Sequence, residues 1–200
     1  MLNRKVLAFL PHTTHSPDVA THLKKMTLTE LVNNLEKKAQ IELAIELIEI
    51  GLPIWENYNS ENPIEYNDSV VGMYHKIDKN LIAKSIKLLK KINGWNNFLA
   101  KKINNRKIKI LHDEIREPVV ARQDDDFEIP IDVELILFST ANLIEFVMGK
   151  RISAFDENMA YVSINQSIDA ITKNGILKYE YINEILMRSK KTCGNNSYKQ

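Results

Sequence analysis

The stretch that most constrains this chain is DDDFEIPIDVELILFSTANLIEFVM, Asp124 to Met148. After its acidic opening it is apolar on almost every side. Val133, Ile136, Leu137, Ile144 and Met148 fall on one helical face, and Leu135, Phe138, Leu143, Phe146 and Val147 cover most of the rest. A helix with so little polar surface persists in water only when other helices enclose it. Its limits are legible. Pro130 suits the first helical position, Asp132 and Glu134 meet the positive end of the macrodipole, and Gly149 followed by Lys150 reads as the stop. Residues 131–148 are therefore expected to be the buried centre of a bundle.

The flanking sequence supplies the enclosing helices. Thr27 with Glu30 makes a capping box, and the helix it opens carries Leu28, Leu31, Val32, Leu35, Leu43, Leu47 and Ile50 before Gly51 ends it and Pro53 restarts a short turn. Asp68 or Ser69 is expected to cap a short helix through Val70, Val71 and Tyr74. Asp78 opens the clearest amphipathic segment, in which Leu81, Ile82, Ser85, Ile86, Leu89 and Ile92 face inward and Lys84, Lys87, Lys90 and Lys91 face out. Trp95–Asn104 and Arg106–Arg116 read as further helices. Asp156 caps a segment that ends at Asn174 and Gly175, and Ile176–Met187 forms the last helix. The fold class is all-α: a single-domain bundle of about seven to nine helices, spanning 27–188. Residues 1–26 are expected to be a poorly ordered extension and 189–200 a polar tail.

Composition enters by exclusion. Six Gly and six Pro in 200 residues are too few for an all-β chain full of tight turns. The single Cys193 cannot form an internal disulfide, which fits a reducing compartment. Val6–Leu10 is too short for a signal-peptide core, and Asp132, Glu134, Asn142 and Glu145 interrupt the central helix too often for a membrane span. The expectation is a cytoplasmic protein with no membrane partner.

Charge is segregated along the chain. From Lys79 to Arg122 there are twelve Lys and Arg against three acids, a net of +9, whereas Gln123 to Phe146 holds seven acids and no base, a net of −7. The plain reading is a solvated lysine face and two blocks that partly neutralise each other in the fold. The sharper reading makes Asp124, Asp125, Asp126, Glu128 and Asp132 a partner-binding surface, since consecutive carboxylates imitate phosphates and speed capture of a basic partner. Trp55, Tyr58, Tyr66 and Tyr74 are the candidate aromatic anchors. Trp55 suits the core as well. No metal site is expected: the acidic run lacks the EF-hand Gly and terminal Glu, and His75 and His112 lack partners at ligand spacing. No cofactor motif is present either.

For catalysis the best candidates are Arg106 and His112, in RKIKILH. An Arg followed four to six residues later by a His on a helix resembles the minimal pattern of the HEPN ribonucleases, in which Arg would stabilise phosphorane charge and His would act as acid or base. Lys107 departs from that pattern, which usually has another polar residue just after the Arg. Ser139 lies within the apolar helix and Cys193 in the tail, neither with a local base, so a nucleophile is not supported.

Three segments together carry a second resemblance. A long first helix running into GLPIWENY (Gly51–Tyr58), then YNDSVVGMYHKID (Tyr66–Asp78) and EPVVARQDDDFEIPIDVELILFSTANLI (Glu117–Ile144), is similar to the all-α immunity proteins of bacterial polymorphic and contact-dependent growth inhibition toxin systems. The resemblance covers roughly 27–187. It implies a non-enzymatic cytoplasmic protein that binds one cognate toxin domain, often a nuclease and here expected to be basic, and blocks its active site without touching nucleic acid itself. No catalytic residues carry over. The alternative is a HEPN-like ribonuclease of a toxin–antitoxin system.

Overall fold

The computed structural model describes residues 27–68, 73–93, 106–116, 128–149 and 158–194. Seven helices stand among these residues: α1 (Leu28–Asn33), α2 (Lys37–Glu61), α3 (Leu81–Asn93), α4 (106–116), α5 (Ile131–Met148), α6 (Met159–Asn174) and α7 (Tyr179–Gly194). Between α2 and α3 lies one antiparallel hairpin, β1 (Glu65–Asp68) paired with β2 (Met73–Lys76) in the register Glu65 to Lys76 and Tyr66 to His75. The architecture is an all-α single domain. The central helix is α5, whose Ile136, Leu137, Leu143 and Ile144 are among the largest fully buried side chains.

α5 packs most extensively on α6 and then on α2. The α5–α6 seam is built from small residues. Ser139, Ser163 and Ser167 are fully buried, and the Ser139 hydroxyl donates to the Ser163 carbonyl at 2.9 Å while lying 2.6 Å from the Ser167 hydroxyl. Ala160 and Ala170 continue this face of α6. Such residues let two backbones approach closely, and the hydroxyls satisfy each other inside the core. Asn142 Nδ2 donates to Gln166 at 2.8 Å farther along the same seam. Ser139 is thus occupied in packing.

The Thr27–Glu30 capping box is present, with Glu30 N–H donating to Thr27 Oγ1 at 3.2 Å and Thr27 N–H to Glu30 Oε2 at 2.7 Å. The stops at Gly149 and Gly175 are also as expected. Both adopt left-handed conformations, at φ 69° and 78°. Pro130 is the residue before the helix rather than its first residue. The start of α6 belongs to Asn158, whose side chain accepts the Ala160 N–H at 3.0 Å; Asp156 lies outside the described residues.

Several boundaries are corrected. The long first helix is two, broken at Asn34–Glu36, where neither Gly nor Pro marks the chain. The buried Gln40 amide donates to the Leu35 carbonyl at 2.8 Å, satisfying a group that the break leaves over. Conversely, α2 runs straight through Gly51 and Pro53. Gly51 serves close packing instead of termination: a Cβ there would run into the Ile136 side chain and stand 3.5 Å from Ile171 Cγ1. Of the short helix expected from Asp68 or Ser69 through Val70, Val71 and Tyr74, Asp68 and Tyr74 stand instead in paired strands, next to the buried Ile64 and Ile77, while 69–72 lie outside the described residues. The polar tail is shorter than expected, because α7 begins at Tyr179 and continues to Gly194. Residues 1–26 and Trp95–Asn104 lie outside the described residues, as does Val119–Ala121.

The close approach at Gly51 is testable. Gly51→Ala gains about 1 kcal/mol of helix propensity but overpacks a fully buried neighbour, a cost of about 1–3 kcal/mol. Net destabilisation is expected in urea unfolding, and Ile136→Val, which deletes the obstructing methyl, should be less harmful in the Gly51→Ala background than alone. A Gly51→Ala protein more stable than the parent would show that Ile136 yields freely.

The start of α3 supplies a pH-dependent element. The Asp78 carboxylate accepts the Asn80 N–H at 2.9 Å and pairs with Lys84. The Lys84 hydrogen bond first, then that from Asn80, holds its pKa below the ordinary 3.8. A depressed folded value means that this stabilisation is complete above the unfolded pKa and is lost as pH falls through the lower folded one. Asp78→Ala should therefore cost about 1 kcal/mol near neutral pH, the usual worth of a side chain closing a helix start. The difference between variant and parent should vanish in urea titrations run below the folded pKa.

Candidate functional site

α4 places its charged residues by simple periodicity. Ile108, His112 and Ile115 share one buried face, at 4%, 4% and 0% exposure. Arg106 is exposed, and six residues at about 100° each set it about 120° around the axis from His112. The proposed Arg106–His112 pair is therefore not brought together, and His112 has no open approach from solvent.

His112 instead enters a buried charge cluster. Its Nε2 lies 2.7 Å from Glu145 Oε1 and its Nδ1 3.0 Å from Asp113 Oδ1. Arg116 Nη1 stands 3.5 Å from the same Glu145 oxygen. Glu145 and His112 are almost fully enclosed, whereas Asp113 is 60% exposed and Arg116 44%. Both imidazole nitrogens thus lie within hydrogen-bond distance of carboxylate oxygens, one buried and one at the surface. A buried carboxylate needs such partners. The signal was present in the sequence: Glu145 sits in the apolar helix at an inward position, and such a residue requires a donor from a neighbouring element.

The expected partner-binding residues divide. Asp124, Asp125 and Asp126 lie outside the described residues. Glu128 is exposed, and its carbonyl accepts the Tyr58 hydroxyl at 3.4 Å. Asp132 is half-buried, accepting the Val133 N–H at 3.1 Å and the Asn174 amide at 2.6 Å, so it ties the start of α5 to the end of α6. Trp55 is not a surface anchor. It is fully buried, with Nε1 donating to the Lys79 carbonyl at 2.8 Å. Tyr58 is half-buried, and burial raises its hydroxyl pKa. Tyr66 stands in β1 opposite His75. Tyr74 is 60% exposed and its hydroxyl donates to Glu65, which Lys76 also contacts at 2.6 Å. Those two hydrogen bonds, Lys76 first, hold the Glu65 carboxyl below its ordinary range.

Two exposed aromatics escaped the sequence reading. On the last helix Tyr181 is 54% exposed and Tyr179 45%. Ile182, Ile185 and Leu186 take the inner positions. Ile131, at 52%, is the exposed exception of the otherwise enclosed α5.

The basic block is partly neutralised in place. Lys84 pairs with Asp78, and Lys90 with Glu49 at 2.5 Å. Among the described residues no group of three His, Cys, Asp or Glu side chains is arranged to hold a metal ion, and no helix is long and apolar enough to cross a membrane. No protein-family model, curated protein or solved structure matches the chain.

Proposed function

We propose that this chain is an immunity protein that binds a cognate bacterial toxin domain, of the nuclease type, and occludes its active site. The observation that supports this is the acidic opening of α5. The segment 124–134 carries the dense carboxylates of the chain without a base. Its described part stands at the surface, with Glu128 exposed and Asp132 and Glu134 half-buried. A basic nuclease cleft is built to receive phosphates, and carboxylates in series meet the same field. The internal His112–Glu145–Arg116 cluster is spent on holding α4 to α5, which agrees with a binding role rather than with acid–base chemistry.

The test is co-purification of the tagged protein with the product of the adjacent reading frame, followed by affinity measurement over a salt series. A stoichiometric basic toxin domain is expected, bound more weakly as salt rises. Replacing Asp124, Asp125 and Asp126 by Asn should lower both the affinity and its salt slope. An unchanged affinity and slope would remove the acidic segment from the interface, and RNA cleavage by the purified protein would replace this reading with a nuclease.

A further inference from the structure

Among the described residues five large apolar side chains are markedly exposed, and four of them belong to one end of the bundle: Tyr74, Ile131, Tyr179 and Tyr181. Chain direction puts them there. α2 runs parallel to α6, with Gln40 beside Asn158 and Gly51 beside Ile171. It runs antiparallel to α5, with Gly51 against Ile136 and Tyr58 against Glu128. Hence α5 begins where α2 and α6 end, as the Asn174–Asp132 hydrogen bond shows directly. α7 starts from the turn after Gly175, and the hairpin rises from the end of α2, where Ile77 N–H bonds the Ile64 carbonyl at 3.0 Å. The fifth residue, Ile110, belongs to α4, which docks at Glu145, about 20 Å along α5 from Ile131.

Among the described residues the same end is acidic. Glu56, Glu61, Glu128, Asp132 and Glu180 are exposed or half-buried there, against Lys79, Lys173 and Lys178, while the Glu65–Lys76 and Asp78–Lys84 pairs cancel. Single exposed apolar residues are ordinary. Three tyrosines and an isoleucine at one end, in an acidic surround, form a different kind of surface. Tyrosine offers a large rigid area at small entropic cost, and its ring face attracts guanidinium and ammonium groups.

We propose that this end of the bundle is the docking face for a folded protein partner with an Arg- and Lys-rich surface, gripped by Tyr74, Ile131, Tyr179 and Tyr181. The inference rests on the immunity reading for the partner's identity and on charge complementarity for its chemistry. Nucleic acid and anionic lipid carry the wrong sign for this face. The carboxylates steer the encounter, and the aromatic side chains hold the complex once formed.

Two measurements separate this proposal from the reading beneath it. In the first, the isotope-labelled full chain is titrated by NMR with a nona-arginine peptide at low salt. Amide shifts should concentrate in 73–76, 128–134 and 174–184, and Tyr179→Ser/Tyr181→Ser should weaken binding at least five-fold with an unchanged thermal midpoint. Shifts elsewhere, or none, overturn the face. In the second, the toxin domain recovered by co-purification is measured against the same double variant and against Glu128→Lys/Glu180→Lys, whose exposed sites leave folding intact. Loss of affinity in both supports the face. A partner bound equally well by both variants overturns the face and leaves the immunity reading standing, whereas failure to recover any partner removes that reading while the peptide titration still decides the face.

Discussion

Trp55→Ala is expected to lower the unfolding free energy by about 3–5 kcal/mol, the range for truncating a large buried aromatic. The ring has no exposed surface, and its Nε1–H satisfies the Lys79 carbonyl in the turn that starts α3. Truncation therefore opens a cavity between α2 and α3 and leaves a backbone acceptor unpaired. Trp55→Phe, which keeps most of the volume and loses only the donor, should cost about 1–2 kcal/mol. Urea unfolding with an unchanged slope would measure both. The contrast with a binding hot spot is sharp, because an interfacial tryptophan truncated to alanine leaves the free protein as stable as before. If Trp55→Ala unfolds at the parental midpoint, the assignment of this residue to the core fails.

His112→Ala should also be damaging, at about 1–3 kcal/mol, for a different reason. It removes the 2.7 Å partner of a carboxylate that is 3% exposed, leaving Glu145 with Arg116 at 3.5 Å. Removing one partner of a buried hydrogen bond costs more than the bond contributes, because the group left behind stays desolvated and unsatisfied. The same principle predicts the rescue. His112→Leu combined with Glu145→Leu should recover most of the loss, since replacing both partners of a buried polar contact by apolar groups of similar shape can be nearly neutral. Asp113→Ala, at the exposed side of the ring, should cost under about 1 kcal/mol. A catalytic histidine would behave in the opposite way, with His112→Ala folding normally and losing an RNA-cleaving activity. A stability change under about 1 kcal/mol for His112→Ala would sink the structural account of this cluster.

The proposed partner surface was legible in part. The acidic run before α5 is visible because charge is read directly from residue type, and Tyr74 is exposed as expected. Tyr181 is exposed because it stands about 100° around α7 from Ile182, at the edge of the inner face that Ile182, Ile185 and Leu186 form. Trp55 was ambiguous for a simpler reason: its role depends on whether α2 stops at Gly51 or continues, and the local signals of Gly51 and Pro53 favour a stop. Packing against Ile136 overrides them. The hairpin at 65–76 was missed because β1 and β2 are four residues each and their pairing is a contact between segments, whereas Asp68 is a good local helix opener.

What the sequence determined alone is the hydrophobic pattern and its punctuation. That pattern was enough for an all-α bundle, an enclosed α5 and the glycine stops at 149 and 175, because apolar periodicity and left-handed glycines act within a few residues of the chain. Only the tertiary structure decided which helix passes through its own breakers, which histidine meets which carboxylate, and which tyrosines remain at the surface. Those outcomes depend on residues far apart in sequence, Gly51 with Ile136, His112 with Glu145 and Asp132 with Asn174. Close packing and buried charge are settled between neighbours in space, and the helix directions that make those neighbours also gather Tyr74, Ile131, Tyr179 and Tyr181 at one end.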